Sequence, residues 1–195
     1  MAIVADSSFH IFFCSEINET SILKKIVQAY EMYYGDAIKN EVLNCISENK
    51  DVYNNVENIS LDINFKNILS DFYDYLLNQY SQLKNRIDDG EWEAIGISYH
   101  LHSIGKMEYL IIDEKYAYNF VISKLPTLRT HIVRTLRFVY SASKKDAKLN
   151  QTDAIYIFNR TKEEIRSGKT PLYLTRDIWD ARIEPLMARL RLGEN

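Results

Sequence analysis

The apolar positions of this chain change period several times, and the changes mark out its elements. Ile3-Val4-Ala5 is an unbroken apolar run that stops at Asp6-Ser7-Ser8, the pattern of a buried strand ending in an acid. Phe9 to Phe13 is apolar again and reads as a short helix. From Ser21 to Tyr33 the residues Ile22, Ile26, Ala29 and Tyr30 fall on one helical face, which predicts a second helix broken by Gly35. Asp36 then stands where a cap would open a further helix carrying Ile38, Glu41, Val42, Cys45 and Ile46. Residues 48–58 are polar and Asn-rich and read as a loop, and Ile59-Ser60-Leu61-Asp62-Ile63 alternates like a short strand.

The plainest helical pattern follows: Phe65, Ile68, Leu69, Phe72, Tyr73, Leu76, Leu77, Tyr80, Leu83 and Ile87 keep a 3.6-residue period that core packing explains. Asp89 is placed to cap the next helix, which carries Glu91, Glu93, His100 and His102. Each of these pairs is two residues apart, so its members point in nearly opposite directions on a helix. Only one of the glutamates is expected to face a common site, and both histidines read as structural. Met107 to Ile112 is a second buried strand, and it ends in Asp113-Glu114 as the first ends in Asp6. A helix over 114–124, an edge strand at His131-Ile132-Val133, a basic helix over about 134–145 and two closing helices near 151–167 and 175–190 complete the chain. This order predicts a three-layer α/β/α fold with a central parallel sheet over 1–150, and a helical extension over 151–195 packed on it.

Composition adds an asymmetry. The net charge of −3 is small, yet residues 1–93 carry 7 basic and 16 acidic side chains, while 124–148 carry 7 basic ones (Lys124, Arg129, Arg134, Arg137, Lys144, Lys145 and Lys148) against Asp146 alone. An acidic body beside one basic segment suits a metal site next to a phosphate-tolerant surface, and equally a merely solvated basic helix. No apolar run has the length of a membrane span, the opening residues read as a core strand rather than a leader, and a cytoplasmic location is expected. Cys14 and Cys45 have no metal-type spacing and read as free thiols.

Two strands ending in acids, lying parallel, would bring Asp6 and Asp113 to one sheet edge, where open α/β sheets bind ligands. Asp6 is also a good helix cap, and both readings stand. Grouped carboxylates suit Mg²⁺ or Mn²⁺, which take oxygen ligands and keep several waters. Phosphate-binding Gly-rich loops, a Ser nucleophile elbow and Cys/His zinc arrays are all missing from the sequence. A haloacid-dehalogenase type phosphatase would want a second acid two residues after Asp6, and Ser8 stands there.

In four segments the chain resembles the PIN-domain superfamily, and within it a small prokaryotic branch of nuclease-like proteins. They are Ile3-Val4-Ala5-Asp6-Ser7-Ser8, Gly35-Asp36-Ala37-Ile38-Lys39-Asn40-Glu41-Val42, Asp89-Gly90-Glu91-Trp92-Glu93-Ala94-Ile95 and Leu110-Ile111-Ile112-Asp113-Glu114-Lys115. The resemblance implies a PIN-like parallel-sheet fold and Mg²⁺- or Mn²⁺-dependent hydrolysis of RNA, with Asp6, Glu41, Glu93 and Asp113 as the catalytic and metal-binding acids. Glu93 is preferred to Glu91 because it precedes Ala-Ile. Ser8, Glu91 and Lys115 are accessory candidates, and Arg129, Arg134, Arg137, Lys144 and Lys145 are candidates for the RNA backbone. Many relatives in that branch are toxins held by a small antitoxin protein and are often dimeric, so both partners are expected here. The alternative is a PIN-like module that no longer turns over and serves regulation or assembly. The chain departs from the branch at Lys115, Tyr116 and Tyr118, at Arg134-Thr135, and in its long tail.

Overall fold

A computed structural model describes residues 1–61, 63–80 and 87–192. Its centre is a five-stranded, all-parallel sheet in the order β3-β2-β1-β4-β5. The strands are β1 (Ala2–Ala5), β2 (Glu31–Tyr34), β3 (Val56–Asn58), β4 (Met107–Ile111) and β5 (Ile132–Val133). Every residue of β1 is fully buried, which is what a middle strand covered on both faces requires and what its apolar run announced.

Helices cover both faces, giving the expected three layers. One face carries α7 (Asp89–Ser103), flanked by α3 (Asp36–Glu41), α6 (Ile63–Gln79) and α8 (Lys115–Lys124). Because α7 lies across β1, β2 and β4, Gly90 to Ser98 are buried on all sides. The other face carries α1 (Ser7–Ile11), α2 (Thr20–Ala29) and α9 (Thr135–Lys144). Phe138 of α9 is the wedge there, its ring 5.9 Å from Phe9 and 5.4 Å from both Tyr30 and Tyr109 between centroids. Two short helices, α4 (Leu43–Glu48) and α5 (Lys50–Tyr53), sit beyond β2. The tail supplies α10 (Gln151–Arg166), the one-turn α11 (Arg176–Ile178) and α12 (Glu184–Leu192). Both α10 and α12 pack on α9, and Phe158, Trp179, Met187 and Leu190 belong to the same buried core as β1, so the tail is continuous with the α/β body.

Several local expectations change. The helix expected through Tyr33 stops at Ala29, and Glu31–Tyr34 is β2 instead. Its helical spacing loses to pairing with β1 and β3, which buries Met32, Tyr33 and Tyr34. The helix after Gly35 breaks at Val42 into α3 and α4. The expected loop at 48–58 contains α5 and β3, and the strand expected at Ile59–Ile63 is a 3₁₀ turn over Ile59–Leu61, with Asp62 outside the described residues. The long helix ends at Gln79; Leu83 lies outside the described residues and Ile87 precedes α7. The cap of α7 is Asp88 rather than Asp89, and that of α3 is Gly35 rather than Asp36.

Phe138→Ala removes the wedge between sheet and α9, so it should lower stability by roughly 3–5 kcal/mol, measured by chemical denaturation.

Candidate functional site

Strand order reverses between β1 and β4: the chain leaves β1 toward β2 on one side and reaches β5 through β4 on the other. Ligands of open α/β sheets bind beyond the carboxyl ends of the strands at such a point. Asp6 and Asp113 both stand there. Asp6 is fully buried and caps α1, its Oδ1 accepting from the Phe9 amide at 3.2 Å. Its Oδ2 accepts from the Asp113 amide, also at 3.2 Å, so one carboxylate spans the seam between the two strands. Asp113 in turn accepts from Thr135, at 3.2 Å from the amide and 2.5 Å from the hydroxyl. The Arg134 guanidinium donates to the Asp113 carbonyl at 2.6 Å and lies 4.6 Å from the centre of the Tyr118 ring.

Burial and mutual repulsion make these acids reluctant to ionise. Burial pushes the Asp6 carboxyl well above the usual range, and the charge of Asp113 adds to it, with a further contribution from Glu91. Burial raises Asp113 to about 6 against the opposing pull of the Thr135 hydrogen bonds and Arg134. Glu91 is pushed up to about 7, first by burial and then by the charges of Asp88 and Glu41. Glu16, an acid the sequence pattern did not single out, is raised by burial and by Asp113.

The two glutamates of α7 divide as their spacing requires, with the roles exchanged relative to expectation. Glu93 turns away from the seam and accepts from the Ile38 amide at 2.8 Å, capping α3, whose own cap residue Gly35 has no side chain. A Cβ at Gly35 would fall 2.1 Å from that carboxylate, so the glycine makes room for it. Glu91 is the one whose charge reaches Asp6, although its Oε2 is also engaged by the Asp88 amide at 2.9 Å. Glu41 is exposed and returns the favour to α7, accepting from the Gly90 amide at 3.1 Å. Its charge reaches Glu91.

In kind, these donors suit a hard divalent cation: buried or clustered carboxylate oxygens, with no ion pair to Asp6, Glu41, Glu91 or Asp113 among the described residues. In number they are sparse, since among the described residues no three Asp, Glu, His or Cys side chains converge tightly enough to hold an ion. Mg²⁺ is commonly bound through only one or two carboxylates, with waters and substrate phosphate completing its shell. Asp6 and Asp113, with Glu91 nearby, meet that lower demand.

Beside Asp113 opens a cleft of about 710 Å³, lined by Lys115 and Arg134 on the sheet side and by Tyr173, Ile178 and Arg182 from the tail. An adjoining pocket of about 310 Å³ takes in Arg137. Of the expected backbone-binding residues, Arg134 and Arg137 are therefore at the site, as is the accessory Lys115. The others are not. Arg129 donates to the Ile122 carbonyl. Lys144 closes α9, about 14 Å along the helix from Thr135 at 1.5 Å per residue. Lys145 pairs with Glu108 at 3.8 Å, near the opposite end of β4 from Asp113.

The tail reaches the site through a one-turn 3₁₀ helix, Pro171–Tyr173. Leu172 and Tyr173 both adopt left-handed backbone, at φ 51° and 58°, which costs non-glycine residues of order 1–3 kcal/mol each. The turn is held by the Leu172 amide, which donates to Glu16 at 3.1 Å, and it brings the Tyr173 side chain beside the accessory Ser8. Glu16, Tyr173 and Arg182 were missed in the sequence because nothing local distinguishes them, and Thr135 stood out only within Arg134-Thr135, a departure from the resembled pattern; only Gly-Lys-Thr-Pro ahead of Leu172 marks a turn. His100 and His102 lie in the last turn of α7, away from the acids, with His102 Nδ1 3.3 Å from His131 Nε2.

No family model, no curated protein and no solved structure matches this chain.

The shifts predict how stability responds to pH. Asp113 and Glu91 have folded-state pKa values above their unfolded ones, so their stabilisation is full below about pH 4 and is lost as pH rises through about 6 and 7. Glu91→Gln should therefore raise the melting temperature by roughly 3 °C at pH 8 and leave it little changed at pH 5. Glu93→Gln should lower it at both, because it weakens the α3 cap. Differential scanning fluorimetry across pH distinguishes the two.

Proposed function

We propose that this chain is a divalent-cation-dependent ribonuclease of the PIN-like kind that its sequence resembles. One observation carries the reading: two buried carboxylates without ion pairs among the described residues stand at the switch point of a parallel sheet, and one of them lines a cleft whose walls bear Lys115, Arg134 and Arg182. Acids and cations segregated side by side suit a phosphodiester, whose charge needs the cations while its cleavage needs the acids' ion.

The roles follow from what each residue touches. Asp6 and Asp113 would offer oxygens to Mg²⁺ or Mn²⁺, with Glu91 at the edge of the pair, held by the Asp88 amide. Bound there, the ion supplies Lewis-acid polarisation of the phosphoryl oxygen and an acidified water. Thr135 fixes the Asp113 carboxylate and is a positioning residue. Lys115, Arg134 and Arg182 bind non-bridging phosphate oxygens. Glu93 takes no part in the chemistry. Glu41 belongs to the cluster's edge, where it orients the start of α7.

The test is cleavage of a labelled mixed RNA pool by purified protein with Mn²⁺ and with EDTA. Mn²⁺-dependent cleavage is expected, reduced to background in Asp6→Asn and Asp113→Asn and about 10–100-fold in Thr135→Ala. Glu93→Gln should retain its rate at temperatures where it stays folded. Lack of cation-dependent cleavage, or an Asp113→Asn variant as fast as the wild type, sinks the proposal and leaves an inactive PIN-like module.

A further inference from the structure

We infer that Tyr173 and Arg182, both from the C-terminal tail, form the wall that grips single-stranded RNA, with an unpaired base on the Tyr173 ring and a backbone phosphate on Arg182. The inference rests on the ribonuclease reading for the identity of the ligand and extends it to residues outside the acid cluster.

Three features of the tail point this way. The first is the way Tyr173 is presented. Its side chain is 66% exposed although its neighbour Leu172 is only 4% exposed, and both sit in left-handed backbone that large side chains avoid. The fold sustains this unfavourable turn with the Leu172–Glu16 hydrogen bond and the burial of Leu172. Strain of this kind, held by its surroundings and leaving an aromatic ring in water, has no packing purpose at Tyr173. The second feature is position. Tyr173 lines the same cleft as Asp113, Lys115 and Arg134. The third is charge. Arg182 lines both the main cleft and its adjoining pocket, is exposed, and makes no ion pair among the described residues.

These features match the physics of single-strand binding: a cationic groove for the backbone, with exposed aromatic faces on which bases stack. A duplex hides its base faces inside its own stack and could use Arg182 but not Tyr173. A cleft of about 710 Å³ falls in the range that small ligands fill, so one or two nucleotides would occupy it.

The test is fluorescence anisotropy with a short labelled oligouridine and an RNA duplex of equal length, in EDTA and again with Mn²⁺ on ice. The wild type should bind oligouridine more tightly than duplex. Tyr173→Ala should weaken oligouridine binding by about fivefold or more, while Tyr173→Phe, which keeps the ring and loses only the hydroxyl, should bind as the wild type does. Arg182→Gln should weaken binding several-fold and lower the slope of log affinity against log salt by about 0.7. Unchanged melting temperatures are expected for all three, since both side chains are exposed. The inference is overturned if Tyr173→Ala or Arg182→Gln binds like the wild type, if duplex binds as tightly as oligouridine, or if oligouridine does not bind in either buffer. Binding is read separately from cutting: the expected pattern without Mn²⁺-dependent cleavage would refute the ribonuclease and leave an RNA-binding wall.

Discussion

Across the seam between β1 and β4 the amide of Asp113 donates to the carboxylate of Asp6, and much else is arranged around that single contact. It forms only because the two strands are parallel neighbours in a register that ends both at the same edge. A carboxylate in so buried a place is costly unless it is hydrogen-bonded or neutralised. Asp6 receives two amides, Asp113 receives an amide and a hydroxyl, and among the described residues neither carboxylate makes an ion pair. The fold thus holds its acids chiefly by dipoles, an arrangement that keeps them reluctant to ionise and lowers stability as the pH rises through their raised values.

The neighbouring acids illustrate how one residue type serves two purposes. Glu41 and Glu93 exchange places between α3 and α7, each accepting from an amide near the start of the other helix. Each contact runs past a glycine, Gly35 in one case and Gly90 in the other, where a Cβ would crowd the incoming carboxylate. The exchange locks α3 to α7 and thereby sets where Glu91 stands. Glutamates that look like ligands in the sequence are here helix caps, and the cap geometry is what brings the remaining acid toward Asp6.

The tail completes the site rather than decorating it. Its core residues Phe158, Trp179, Met187 and Leu190 anchor α10 and α12 on the sheet's α9 side, and that anchoring lets the strained Pro171–Tyr173 turn reach Glu16 and Ser8. The cationic side of the cleft is therefore built from two distant stretches, Lys115 and Arg134 near the sheet edge and Arg182 near the end of the chain.

From the sequence alone, the layered α/β architecture was legible, because buried parallel strands are short unbroken apolar runs and amphipathic helices repeat every 3.6 residues. The pairing of Asp6 with Asp113 was legible too, since both follow such runs and parallel strands present their ends on one edge. β2 was not, because Ile26, Ala29 and Tyr30 continue a helical period into residues that bury themselves only by pairing with β1 and β3. Nor was the choice between Glu91 and Glu93: two residues apart on a helix, they must diverge, but which one's charge reaches Asp6 depends on where α3 lies against α7. The basic segment read as one feature because its charges are adjacent in sequence. The tertiary structure sends Arg134 and Arg137 to the cleft and Lys144 and Lys145 to the far end of the sheet, since a helix that starts beside Asp113 must carry its last turn away from it.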